Sequence, residues 1–95
     1  MTPETAIKKQ IKDYLKATGW FCYHNLAGLG SYPGISDITA IKFGIHLHIE
    51  VKTETGVQSE RQKIFEQNIK DAGGYYLIAR GYEDVENFIQ RILKK

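Results

Sequence analysis

Apolar residues recur along this chain at two spacings, and the switches between them mark out its elements. Ile7, Ile11, Tyr14 and Leu15 fall on one side of a helix. Thr2 is placed to cap that helix, Pro3 suits its first turn, and Gly19 supplies a stop. Residues 20–24 read as a short strand, and 25–34 as a loop broken by Gly28, Gly30, Pro33 and Gly34. Residues 38–43 and 46–53 are rich in β-branched and aromatic side chains and predict two strands. Gly44-Ile45 between them fits a type II′ hairpin turn, which wants glycine at its first central position. Ser59 and Gln62 form a Ser-x-x-Gln capping box opening a second helix, with Ile64, Phe65, Ile69 and Ala72 as its apolar face and Gly73-Gly74 as its end. Residues 75–79 predict a buried strand. A last helix starts near Glu83, with Glu83 and Asp84 where the helix dipole favours acids and Val85, Phe88, Ile89, Ile92 and Leu93 facing inward.

The predicted order is therefore α-β-β-β-α-β-α. It is an α/β fold, a mixed sheet flanked by helices, forming a single domain over residues 1–95. The strand–helix–strand step requires a right-handed crossover. A chain of this length buries only about two-thirds of its unfolded surface, so its core is thin.

Composition changes this picture little. The chain is 42% hydrophobic and 25% charged, with a net charge of +2, which is ordinary for a globular domain. The placement of charge says more: Lys8, Lys9, Lys12 and Lys16 cluster on the first helix, either as phosphate contacts or as a solvated face. Cys22 is the single cysteine, so no intramolecular disulfide can form, which fits a reducing compartment. It is expected to be a buried hydrophobe in the run 20–23. Residues 1–12 hold no apolar signal core and no apolar run approaches the ~20 residues of a membrane span, so a cytoplasmic protein with no membrane partner is expected. The glycine-rich loop lacks a P-loop pattern, which argues against a nucleotide cofactor. No zinc pattern or recognition helix is visible, which argues against sequence-specific DNA reading.

The chemistry concentrates on the hairpin. With the turn at Gly44-Ile45, Thr39 faces Glu50 and Asp37 faces Lys52, and alternation puts Asp37, Thr39, Glu50 and Lys52 on one face. Opposite residues lie about 5 Å apart at Cβ and diagonal ones about 7 Å. Carboxylates at that separation can share a hard cation such as Mg²⁺, which uses few protein ligands and completes its shell with water and phosphate. Such a cation acidifies water and stabilises charge on phosphorus oxygens, while Lys52 orients or deprotonates the water. The bland alternative is a cross-strand ion pair of Glu50 and Lys52, with Asp37 as a strand-entry residue. The apolar run 46–49 ahead of Glu50 favours the site, because charges are rarely placed in such strands without a partner.

Gly34-Ile35-Ser36-Asp37, followed after a hairpin by Glu50-Val51-Lys52, resembles the bipartite motif of PD-(D/E)XK nucleases. More narrowly, with Glu4, Gly28, Gly56, Ser59 and Gln62 also matching, nearly the whole chain resembles a VRR-NUC domain of the standalone, phage or bacterial type. Ser36 departs from the pattern, standing where the motif has proline. The resemblance implies a restriction-endonuclease-like αβββαβ(α) core. It implies Asp37, Glu50 and the Val51 carbonyl as ligands of Mg²⁺, with Mn²⁺ as a substitute, Lys52 as the catalytic lysine, and Glu4 and Gln62 beside the site. It further implies a homodimer that cuts branched DNA as Holliday-junction resolvases do, in the cytoplasm of a bacterial or phage-infected cell. Bland roles stand beside some of these: Gln62 as a capping-box partner, Glu4 as an acid complementing the helix dipole, His48 as a satisfied strand histidine rather than a metal neighbour. Lys8, Lys9, Lys12, Lys16, His24 and Tyr32 are candidate DNA contacts, which would position the backbone without reading sequence. The competing functions are a non-catalytic or partner-dependent branched-DNA-binding module of a replication or repair assembly, and a nuclease acting on RNA or single-stranded flaps.

Overall fold

Helix α1 (Pro3–Ala17) begins where Thr2 accepts a hydrogen bond from the Thr5 N–H, satisfying a donor that has no partner inside the helix. It ends at Thr18, and Gly19 turns the chain away with φ +87°. A computed structural model describes residues 2–94. After α1 come β1 (Phe21–His24), β2 (Ile38–Lys42), β3 (Ile45–Val51), α2 (Glu60–Asp71), β4 (Tyr75–Ala79) and α3 (Tyr82–Leu93). The element order is the expected one.

The sheet runs β1-β2-β3-β4. β1, β2 and β3 are antiparallel neighbours, whereas β3 and β4 are parallel, as a strand–helix–strand connection through α2 requires. One face is apolar: Ile38, Ala40, Leu47, Ile49, Val51 and Ala79 pack against Ile11 and Leu15 of α1 and Val85 and Ile89 of α3. This is the core. The other face carries Thr39, His48, Glu50 and Tyr76 and is partly covered by α2 through Phe65, which meets the rings of His48 and Tyr76 at 5.8 and 6.3 Å. Among the described residues, no helix is long and apolar enough to cross a membrane.

Four sequence expectations need correction. The hairpin turn is Phe43-Gly44, not Gly44-Ile45, because Lys42 pairs with Ile45 and Thr39 with His48. Both turn residues have positive φ, +52° at Phe43 and +78° at Gly44, the signature of a type I′ turn. The register therefore slips by two residues, and Asp37 comes level with Glu50 instead of Lys52. A slip of two leaves every side chain on its predicted face. The second correction is in α2, where Ile64 and Ala72 are exposed and the inward stripe is Gln62, Phe65, Glu66 and Ile69. The sheet face beneath is polar, so the helix turns polar groups toward it. Third, Cys22 is only half-buried, because β1 lies at the sheet edge. Leu93, expected to face inward, is also largely exposed at the end of α3.

A phenylalanine in the left-handed region is strained, and Phe43 is 86% exposed, so nothing buried compensates it. Its ring meets the Lys42 ammonium, 5.3 Å from the centroid, a contact of small worth at an exposed site. Phe43→Asn, which installs the preferred Asn-Gly turn, is expected to stabilise the fold by about 0.5–1 kcal/mol. Urea unfolding checks this; a lower midpoint at unchanged slope would refute it.

Candidate metal and phosphodiester site

Past the last rung of the β2–β3 ladder, at Ile38 and Ile49, the two strands are joined by a side chain. The Val51 N–H donates to Asp37 Oδ2 at 2.7 Å, so the carboxylate takes the place of a backbone acceptor. That bond fixes Asp37 beside Glu50. On its other side β3 stays zipped to β4, with the Lys52 N–H donating to the Ala79 carbonyl at 3.0 Å.

Glu50 is the deepest group of the cluster, 3% exposed. Its Oε2 accepts from Gln62 Nε2 at 2.9 Å and lies 3.4 Å from Lys52 Nζ. Its Oε1 is buried with no partner. Burial first, then the negative charge of Asp37, push this carboxyl up to about 7, against the pull of Lys52. Gln62 fills both roles considered for it. Its Oε1 accepts from the Ser59 N–H, closing the capping box, while its amide nitrogen holds Glu50.

Lys8 is brought into the cluster rather than left on an outer stripe. Its ammonium stands 3.3 Å from Asp37 Oδ1 and 3.4 Å from Glu4 Oε1. Burial lowers the Lys8 pKa, and the charges of Asp37 and Glu4 outweigh it, so the net shift is upward. Glu4 thus reaches Asp37 through Lys8. The i, i+4 spacing of Glu4 and Lys8 was the available signal; the bond across to β2 had none.

The other predicted positions are more distant. Lys9 pairs with Asp13 at 2.8 Å on the outside of α1. Lys12 and Lys16 lie along β1, where their charges act on Cys22. His24 is exposed at the end of β1, its pKa lowered by burial and by Lys12 and Lys8. Tyr32 is 57% exposed and tilts against Phe65 at 5.8 Å. His48 sits one row away from the carboxylates with its Nδ1 buried and unpartnered, so the satisfied strand histidine expected there is not what forms. Ser36 is fully buried, and its hydroxyl donates weakly to the Ile38 carbonyl at 3.4 Å.

Two positioning contacts carry no signal in the sequence. Arg80 Nη1 donates to the carbonyls of Thr53, Glu54 and Gly56, pinning the loop that follows Lys52. Gly34, which the sequence offers as a loop breaker and as the first residue of the Gly-x-x-Asp motif, has φ +76° and lies so close to α2 that a Cβ would stand 2.2 Å from the Arg61 carbonyl oxygen.

The donor set suits a hard divalent cation. Among the described residues no three His, Cys, Asp or Glu side chains gather for a metal; Asp37 and Glu50 are the side-chain carboxylates that stand together here. A hard cation that keeps waters and takes phosphate needs no more. The unpartnered, buried Glu50 Oε1 supplies the oxygen such an ion would satisfy.

No family model matches the sequence, and no curated protein matches it. Solved structures do. A structure described as "VRR_NUC domain" superposes with a TM-score of 0.80 at 21% identity, covering 95% of this chain and 97% of the other. A second, "VRR_NUC domain protein", gives 0.79 at 18% identity, covering 99% and 90%.

Proposed function

We propose that this chain, which has the fold of VRR-NUC domains, is a metal-dependent endonuclease that hydrolyses phosphodiesters in branched DNA as a homodimer. The observation that carries the reading is Glu50: a nearly inaccessible carboxyl with one oxygen unpartnered, level with Asp37 and beside Lys52. A structural ion pair would satisfy both oxygens.

Asp37, Glu50 and the Val51 carbonyl would hold the ion. The chemistry that Mg²⁺ supplies when bound, with Mn²⁺ as substitute, is to lower the pKa of water and neutralise charge on a phosphate oxygen. The protein's part is positional. Val51 N–H and Gln62 Nε2 each tie down one oxygen of Asp37 and Glu50; the second oxygen of Asp37 faces the Lys8 ammonium, and the second oxygen of Glu50 has no partner. Lys52, whose Nζ lies 3.4 Å from Glu50 Oε2, would orient the attacking water and offset charge building on phosphorus. Water gives up a proton as its oxygen bonds to phosphorus, the bond to the sugar oxygen breaks, and the departing alkoxide takes up a proton, so protons balance over the step. Two copies related by a two-fold axis would place paired sites on opposed strands.

The test is cleavage of matched four-way-junction, flap, nicked and linear duplex DNA with Mg²⁺, Mn²⁺ or EDTA. Paired nicks at the junction with either metal, and none in EDTA, are expected. Binding with no cleavage of any substrate would replace this reading with a non-catalytic or partner-dependent module, and undiminished cutting in EDTA would remove the metal from it.

A further inference from the structure

β1 is the outer strand of the sheet and presents two faces of different character along one edge. On the face shared with the carboxylates stand Phe21 and Tyr23, 67% and 42% exposed. Their rings rest on each other, centroids 5.6 Å apart and tilted by 53°. The register places Tyr23 level with Thr39, and Phe21 level with Ile41. The Asn25 N–H continues the same edge onto the Asp37 carbonyl at 2.8 Å. The two rings therefore lead in steps of about 7 Å, two residues each, toward the Asp37 and Glu50 row. On the opposite face of the same edge Cys22 and His24 pair with Ala40 and Ile38 of the core, and there α1 brings Lys16 and Lys12 toward Cys22 and Lys12 and Lys8 toward His24, so a chain lying along the edge meets the rings on one side and the lysines on the other. Asp13 is engaged by Lys9, so the charge along β1 is positive.

We propose that this edge is a track for an unpaired strand of the nucleic-acid substrate, its bases stacking on Phe21 and Tyr23 and its phosphates following Lys12 and Lys16 to the carboxylates. The proposal rests on the nuclease reading and adds to it a preference: a branched DNA with a single-stranded arm beside the scissile bond is held more tightly than one whose arms are all paired. Aromatic rings on an open sheet face can be used only by bases that have left a duplex. A polyanion also fits the lysines, whereas a second copy docked edge to edge about a two-fold axis would bring a like-charged stripe against them.

Binding in EDTA, read by fluorescence anisotropy, separates this from catalysis. The probes are a labelled oligothymidylate, a splayed-arm duplex and a blunt duplex. Phe21→Leu/Tyr23→Leu, which keeps the apolar bulk of the edge, is expected to weaken oligothymidylate and splayed-arm binding about 10- to 100-fold, leaving blunt-duplex binding unchanged. Lys12→Ala/Lys16→Ala is expected to weaken binding of all three and to lower the salt slope on oligothymidylate by about 1.4. Tyr23→Phe should bind as wild type does. Equal loss on blunt duplex, no loss on oligothymidylate, or a fall in oligomeric mass of the leucine variant would each overturn the track, the last by assigning the face to a second copy. Wild-type protein that cuts duplex DNA yet fails to bind oligothymidylate would overturn the track alone; tight oligothymidylate binding without any cleavage would overturn only the nuclease.

Discussion

Glu50→Gln is expected to abolish cleavage and, in the same protein, to raise the stability of the metal-free fold. Loss of one of two carboxylates around a hard cation removes both charge and an oxygen ligand, and a fall of at least ~10³-fold is the expectation for an oxygen that also organises the reacting phosphate. The stability gain has a separate origin. Folding moves the Glu50 carboxyl from an ordinary 4.5 up to about 7. Between those values the folded chain holds a proton that the unfolded chain has lost, so stability falls as pH rises from 4.5 to 7 and the deficit persists above. The amide never ionises and can still accept from Gln62. The variant should therefore be more stable than wild type at pH 8 in EDTA, by on the order of 1–3 kcal/mol, and the gap should close below pH 4.5. Urea midpoints at pH 4 and pH 8 test this. A variant less stable than wild type at pH 8 would contradict the cost assigned to that buried carboxylate, and one that still cleaves would remove Glu50 from the chemistry.

Gly34→Ala is the second substitution with a large expected effect, and its target is the loop ahead of Asp37. The residue has φ +76°, and the added Cβ would meet Arg61 O at 2.2 Å, Arg61 C at 2.4 Å and Gln62 N at 2.8 Å. All three are backbone atoms of the first turn of α2, which no side-chain rotation can move aside. Left-handed strain alone costs about 1 kcal/mol, and relieving the clash requires the loop to lift from the helix, so a destabilisation of about 3 kcal/mol or more is expected. Because the same turn carries Gln62, whose amide holds Glu50, cleavage should fall as well. Alanine at Gly28, where a Cβ meets nothing within 4 Å, is the control: it carries backbone strain without the collision. Equal melting temperatures for the two variants would show that close approach to α2 is not what Gly34 provides.

Much of this was legible in the sequence because it is local. The Thr2 cap, the Ser59 and Gln62 capping box and the strand at residues 75–79 all form as read, each depending on neighbours a few positions away. The common face of Asp37 and Glu50 was legible because strand alternation has a period of two and survived a register slip of two. The slip itself was not, since Gly44 suits the first position of one turn type and the second of another, and only the strained Phe43 decides between them. Lys8 against Asp37, Arg80 over the loop at Thr53, and Gly34 against Arg61 are contacts between elements distant in the chain, and no periodicity carries them. Ile64 fits the apolar helical spacing yet is exposed, because the sheet beneath α2 is polar.

The ion pairs around Asp37 and Glu50 also set a charge balance. Three carboxylates, Glu4, Asp37 and Glu50, stand with two ammonium groups, Lys8 and Lys52, leaving one net negative charge when all are ionised. On the proposed reading, one divalent ion turns that into a single positive charge, and a phosphodiester linkage brings a single negative one. The occupied site would then be neutral, with neither ion nor substrate matched by the protein alone. A pocket counted this way is complementary to the pair, and each member of the pair makes room electrostatically for the other.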